Sequence, residues 1–308
     1  INFTKMYNNF LSRLWHKTFN NRKYQDLKNE KRTLENVKYY NSHVYNEIVE
    51  IEQRIKKKKE LSFLHSGQLG DLIYSLATIK ELAKSHKCNL YIQANKFMQF
   101  DYKDSTKQVL LNDRSCKLIF PLLKEQDFLN SVNYYTGESV DINFDLFRKI
   151  PINLSFYSTR WFAHVAGINI DVADTFLSTK PHAHIKDKII IHRSPRYRNA
   201  YINYKFLNNQ KNLLCIGLEQ EYKNLKKEIN NLEFHDCKNF LEMAQIIKGS
   251  KFYIGNMSFQ YIIAEGLKIP RLLEASPDFP VVFPVGKNSY DAYHQNHFES
   301  FFTKLNHY

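Results

Sequence analysis

One stretch constrains the fold more than any other: Leu61-Ser-Phe-Leu-His-Ser-Gly-Gln-Leu-Gly-Asp-Leu-Ile-Tyr-Ser-Leu-Ala-Thr-Ile-Lys80. Leu61 to Leu64 is a short apolar run of the kind a buried strand needs. Gly67 and Gly70 follow, then Asp71, and from there Leu72, Ile73, Leu76 and Ile79 recur at helical spacing. The pattern predicts a strand, a tight glycine turn and a helix. Such a turn sits at the carboxyl end of a parallel strand, where open α/β sheets bind ligands. The helix N-terminus offers unpaired N–H groups and a partial positive charge to an anion. Glycines let a ligand approach the backbone. Asp71, with Ser66, Gln68 and Gly70 before it, is a candidate for chemistry at the cleft edge. It reads equally as a helix N-cap, with Gly70 only making the turn.

The rest of the chain carries the same rhythm twice. After the helix over 71–85, Cys88–Ile92 reads as a second strand, Cys116–Phe120 as a third with a short helix over 121–128, and Val132–Tyr135 as a fourth. Residues 96–115 are polar and unplaced, 141–148 reads as a loop or edge segment, and 155–166 as an aromatic-rich helix. Asp171–Lys186, with Pro181, His182 and His184, has linker character. Its two histidines have no third metal ligand nearby, which favours a solvated linker over a metal site. A second series begins at Lys188. Strands are expected at Ile189–Ile191, Leu213–Ile216, Leu232–Phe234, Phe252–Ile254 and Arg271–Leu273. Helices are expected between them and a last one over 294–305. Strands alternating with helices mean parallel, doubly wound sheets. The expected fold is α/β with two Rossmann-like domains facing a cleft, over 59–180 and 187–308, behind a helical extension over 1–58.

That extension has two readings at each of its helices. Residues 2–19 place Phe3, Met6, Tyr7, Phe10, Leu11, Leu14 and Trp15 on one face with basic residues around it. This suits a helix packed on its own protein or one lying on a membrane surface. Residues 24–58 hold neither Gly nor Pro, and Leu27, Leu34, Asn41, Ile48 and Ile55 are seven apart, with Val37, Val44 and Ile51 between them. The seam fits a dimeric coiled coil or a hairpin within one chain. The chain starts at Ile1 without Met, so a fragment of a longer protein is expected.

Composition narrows the partners. Lys and Arg number 44 against 31 Asp and Glu, a net charge of +13, which favours an acidic partner; an AT-rich genome would give the same Lys and Asn bias. The four cysteines form no C-x-x-C pair and read as reduced core thiols of a cytoplasmic protein. No run of 18 apolar residues is present to span a membrane. The lysines are dispersed and no nucleic-acid module is recognisable, so nucleic acid ranks last among the partners.

In the second half, polar residues gather at the expected strand ends. Arg193, Ser194, Arg196 and Arg198 share one loop, suited to a diphosphate through fork-shaped bonds, or else simply solvated. Gly217, Glu219 and Glu221 open a helix, and Asn256 and Ser258 head another that faces the same cleft. Glu265 lies inside that helix, as a donor contact or a surface pair.

These residues carry a resemblance. Gly70-Asp71 followed by Leu-Ile-Tyr-Ser-Leu resembles the opening of the ADP-heptose:lipopolysaccharide heptosyltransferases, inverting enzymes of the GT-B fold. Gly217-Leu-Glu-Gln-Glu221 and Phe252-Tyr-Ile-Gly-Asn-Met-Ser-Phe-Gln-Tyr-Ile-Ile-Ala-Glu-Gly-Leu267 are similar to the same family. Closer still are its uncharacterised relatives with an Arg-Ser-x-Arg-Tyr loop and a Gly-Asn-x-Ser turn. The resemblance implies a base at Asp71 and a nucleotide-sugar held mainly by the second domain. The chain departs from the family's Asp-Thr-Gly-x-x-His turn, having Asn256, Met257, Ser258 and Tyr261, which sets heptose and ADP apart from glycosyl transfer itself.

An inverting transfer needs a carboxylate to take the acceptor proton and cations to take up charge on the departing diphosphate. Asp71 and the arginine loop with Ser258 supply both. No D-x-D motif stands at a strand end, so no obligatory metal or cofactor is expected. The expected partners are a nucleotide-diphosphate sugar, a glycan or glycolipid acceptor, a second copy through the N-terminal helix, and the inner membrane surface. The competing reading is an inactive GT-B-like scaffold on a coiled coil that binds nucleotide or glycan without turnover.

Overall fold

A computed structural model describes residues 10–100, 104–151, 159–279 and 282–307. Three helices lead: α1 (Phe10–Phe19), α2 (Asn21–His43) and α3 (Tyr45–Lys57). Positions 2–9 of the expected first helix lie outside the described residues. The single helix expected over 24–58 breaks at Val44, whose φ of −128° and ψ of −47° leave helical geometry. Val44, Ile48 and Ile51 are buried in the chain's own core. The second half of the heptad seam is therefore used within the chain, while Leu34 and Val37 of the first half are exposed.

The first sheet follows: β1 (Glu60–His65), α4 (Leu69–Leu82), β2 (Lys87–Ile92), a hairpin of β3 (Phe97–Met98) and β4 (Gln108–Val109), α5 (Asp113–Lys124), β5 (Ser131–Tyr134), β6 (Ile142–Asn143), a 3-10 helix (Phe144–Lys149) and α6 (Thr159–Ala166). Its strands are parallel in the order β5-β2-β1-β6. The strand expected at Cys116–Phe120 is instead the middle of α5. Asn112 caps that helix, its Oδ1 accepting from the Ser115 N–H at 2.9 Å, and Cys116, Ile119, Leu122 and Leu123 are buried along one face.

The linker is not solvated as expected. Phe176 and Leu177 are buried and both donate their N–H groups to the Gly266 carbonyl, at 3.0 and 3.1 Å. A Cβ at Gly266 would lie 2.9 Å from each side chain, so only glycine lets the segment dock there.

The second sheet comprises β7 (Ile189–His192), β8 (Leu213–Ile216), α7 (Glu219–Lys226), β9 (Glu233–His235), α8 (Phe240–Gly249), β10 (Phe252–Asn256), α9 (Phe259–Leu267), β11 (Arg271–Glu274), β12 (Ser289–Ala292) and α10 (Gln295–Asn306). All pairs are parallel, in the order β12-β11-β10-β7-β8-β9.

One apolar core runs through both halves. It joins Leu61, Phe63 and Ile79 to Ile190, Ile247, Ile263 and Leu273, because α4 packs on α9 and α5 on α8. A second cluster sits under α10, around Phe252, Phe298 and Phe302. Burial pushes the thiols of Cys88, Cys215 and Cys237 up to about 12 and that of Cys116 up to about 11, which leaves them unreactive. Among the described residues no helix is long and apolar enough to cross a membrane.

Candidate active site

In each sheet the strand order reverses once, between β1 and β6 in the first and between β7 and β10 in the second. Such reversals open the crevice where doubly wound folds bind ligands. The two reversals adjoin one another: a Cβ at Gly70, in the first turn of α4, would lie 2.6 Å from Ile262 Cδ1 on α9. The helices leaving β1 and β10 thus meet at their N-terminal turns.

Asp71 stands at this meeting. It is not the N-cap, a position held by Gln68, so the cap reading of the sequence is set aside. Its carboxylate instead pairs through Oδ2 with Nη2 of Arg148 on the 3-10 helix after β6. Arg148 is buried, its Nη1 donates to the Phe100 carbonyl at 2.8 Å, and its guanidinium lies 4.6 Å from the Phe147 ring centroid. A Cβ at Gly67 would collide with that guanidinium. Ser66 is buried beside it, its N–H donating to Asp145 Oδ1 at 2.9 Å, while Lys96 Nζ reaches Asp145 Oδ2 at 3.0 Å. Burial would raise the Asp145 carboxyl. The neighbouring His65 ring, Lys96 and the Ser66 donors outweigh it and hold the group below the usual range.

His65, at the end of β1, is fully buried, and desolvation lowers its pKa to about 4. Its Nδ1 accepts from the Gly67 N–H at 3.1 Å, which holds the turn in its neutral form. The unfolded chain takes up the His65 proton first. Stability should therefore fall by about 2 kcal/mol between about pH 6.5 and pH 5. Urea unfolding at both pH values tests this against His65→Asn, whose Oδ1 can take the Gly67 N–H but does not titrate. An equal pH slope in both proteins would refute it.

Beside Arg148 opens a cavity of about 320 Å³, lined by Lys96, Lys107, Asp145, Lys149 and Glu47 among others. Its exposed cations Lys107 and Lys149 make no salt bridge among the described residues. Arg148, Lys96 and Asp145 are functional candidates that the sequence reading missed. The only local hint is the pair of charged residues, Asp145 inside the otherwise apolar Phe144–Phe147 run and Arg148 directly after it.

Across the meeting, the loop after β7 divides by role. Arg193 is buried and committed to the protein: Nε and Nη2 donate to both Glu274 carboxylate oxygens at 2.8 and 2.9 Å, and Nη2 also to the Ile202 carbonyl at 2.9 Å. Arg196 and Arg198 are exposed. Asn256, fully buried at the end of β10, clamps the loop: its Nδ2 donates to the Ser194 and Arg196 carbonyls at 3.0 and 2.7 Å and its Oδ1 accepts from the Ser194 N–H at 2.9 Å. Ser258 caps α9, accepting from the Tyr261 N–H. Glu221 accepts from the Leu218 N–H at 3.0 Å and from His192 Nε2 at 3.0 Å. Burial would raise its carboxyl, and those two bonds hold it below the usual range. Gly217, with φ of 131°, leaves room for that pair, since a Cβ would lie 2.8 Å from the His192 ring. Glu219 pairs with Lys223 on the surface. Glu265 is fully buried against Lys268 and Arg271, so it is neither a surface pair nor open to the cleft. Arg196 and Arg198 stay exposed, and Ser258 and Asp71 are half-buried. Among the described residues no three His, Cys, Asp or Glu side chains gather as a metal site.

Two parallel sheets with reversals brought together by packed helices define a GT-B fold, and comparison with solved structures shows that fold here. The chain is similar to the family 9 glycosyl transferase of Veillonella parvula, at 11% identity with a TM-score of 0.53 over 80% of this chain and 89% of that one. It is also similar to E. coli ADP-heptose lipopolysaccharide heptosyltransferase II, at 11% identity with a TM-score of 0.52 over 81% and 98%. A third likeness is to E. coli heptosyltransferase WaaC with ADP, at 12% identity and a TM-score of 0.50 over 80% and 99%. No protein-family model and no curated protein matches the sequence.

Proposed function

We propose that the chain is a glycosyltransferase that moves a sugar from a nucleotide-diphosphate sugar to a hydroxyl of a glycan or glycolipid, with inversion and without an obligatory metal. One observation carries the reading: a carboxylate at one strand-order reversal and a cationic loop at the other, held together through Gly70 and Ile262. The first α/β unit, 59–180, takes the acceptor and the second, 187–308, the donor. In one displacement the acceptor oxygen attacks the anomeric carbon. Its proton passes to Asp71, and the bond to the diphosphate breaks with its electron pair going to the leaving oxygen. Arg196, Arg198 and the N–H groups of α9 behind Ser258 take up that charge. Asp71 keeps Oδ1 for the proton while Oδ2 is held by Arg148. The cavity beside Arg148 is the acceptor side, and its free lysines favour an acceptor bearing an anionic group. The ligands of the similar structures, ADP in WaaC above all, support a nucleotide donor, and the work is cytoplasmic in this reading.

Release of nucleoside diphosphate from a panel of nucleotide-sugars, measured with chelator present, tests the proposal. Arg196→Ala or Arg198→Ala should weaken nucleoside-diphosphate binding by about 1.5–3 kcal/mol, the scale of a hydrogen bond to a charge. The bare nucleoside should bind as before. Normal diphosphate binding in both variants would put the donor elsewhere. A second reading, a binding scaffold without turnover, is favoured by Asn256 and Tyr261, which stand where the turn of the resembled family has Asp and His. Donor binding with no sugar released to any acceptor would establish it.

A further inference from the structure

Helix α1 has no buried residue, yet it is sharply two-sided. At 3.6 residues per turn, Phe10, Leu14, Trp15 and Phe19 fall within one half of its circumference and Arg13, His16 and Lys17 within the other. The four apolar side chains are exposed by 67%, 52%, 56% and 73%. A helix of ten residues is marginal by itself in water, and exposing a Trp and two Phe on one face opposes it further. The face is built for a partner outside the chain's own core. Charge identifies that partner: between Phe10 and Gln25 every charged residue is basic, namely Arg13, Lys17, Arg22 and Lys23. An anionic bilayer would attract them, and aromatic side chains favour its interface.

We propose that α1 lies in the plane of an anionic membrane surface, with Phe10, Leu14, Trp15 and Phe19 in the acyl boundary and the cations among the headgroups. This arm is remote in sequence from Asp71 and from the arginine loop, so the proposal stands apart from glycosyl transfer. Trp15 reports on it directly, because the chain has only 2 tryptophans and Trp161→Phe leaves Trp15 as the sole emitter. With vesicles of phosphatidylglycerol in phosphatidylcholine, the full chain should co-sediment, Trp15 emission should shift to the blue, and added salt should reverse both. Phosphatidylcholine vesicles should do neither. The double change Trp15→Ser with Phe19→Ser should cut partitioning by about a hundredfold, roughly tenfold for each side chain, with the thermal transition of the folded chain unmoved. Co-sedimentation needs no tryptophan substitution, so it stands even if Trp161→Phe fails to fold. Equal partitioning of wild type and the double variant, or no binding to the anionic vesicles, would overturn the proposal. So would Trp15 emission already blue in buffer from a chain that scatters light as a dimer, which would make the occupant a second copy.

Discussion

Asp71→Asn should slow sugar transfer on the order of 10²–10⁴-fold while donor affinity stays nearly intact, because the amide keeps the shape of the carboxylate but cannot take the acceptor proton. The ion pair with Arg148 adds a second effect. Arg148 is only 4% exposed, and replacing its counter-ion by a neutral acceptor should cost about 1–3 kcal/mol of stability. Turnover must therefore be measured well below the unfolding transition, with denaturant curves run alongside. Gln68 holds the cap position, so loss of turnover cannot be put down to a lost cap. Near-normal turnover in a folded Asp71→Asn would remove Asp71 from the chemistry and leave it as the counter-ion of Arg148.

Glu265→Ala should cost about 3–5 kcal/mol in urea unfolding, among the largest losses open to a single substitution here. Glu265 and Arg271 are both fully buried and face each other. The remaining Arg271 donors go to carbonyls, Nη1 to Ile269 at 2.7 Å and Nη2 to Val285 at 2.6 Å. Lys268 joins the same carboxylate and reaches the Val172 carbonyl at 2.8 Å. Removing the carboxylate leaves a guanidinium in the core without its counter-ion, and the strand β11, the linker and the loop before β12 lose their common tie. Replacing the pair together, Glu265→Leu with Arg271→Met, should recover most of the loss, since burial of two ions is itself expensive. A cost below about 1 kcal/mol for Glu265→Ala would show that the cluster does not hold these segments.

The sequence made the regular parts of this architecture legible wherever one periodicity ruled. Ile189–Ile191 and Leu213–Ile216 are buried on both faces in parallel sheets, and their unbroken apolar runs say so. Segments with conflicting signals misled. Pro121 and the run Cys116–Phe120 hid α5, which packs both on β5 of its own sheet and on α8 of the other half. The strand β12, Ser-Tyr-Asp-Ala, is a partly exposed edge and carries no apolar run. The site was legible only in part for a different reason. Asp71 announces itself through its turn, but Arg148 reaches it across 77 positions, and no local pattern records such a pair. The roles of Arg193 and Glu265 could not be read either, because a charged residue at a strand end or inside a helix looks the same whether it turns outward or is spent on Glu274 or Arg271 inside.

The glycines of the first turn have a further meaning. Neither opens space for a phosphate. The space beside Gly67 belongs to the guanidinium of Arg148, and the space beside Gly70 to a methyl group of Ile262 from the other half of the chain. Each glycine is thus one member of a long-range couple. A side chain at position 67 is tolerable only if position 148 shortens, and one at position 70 only if position 262 does. Aligned relatives should show the members of each couple changing together, and relatives that keep Arg148 beside a bulky residue at 67 would show that the turn has another way to make room.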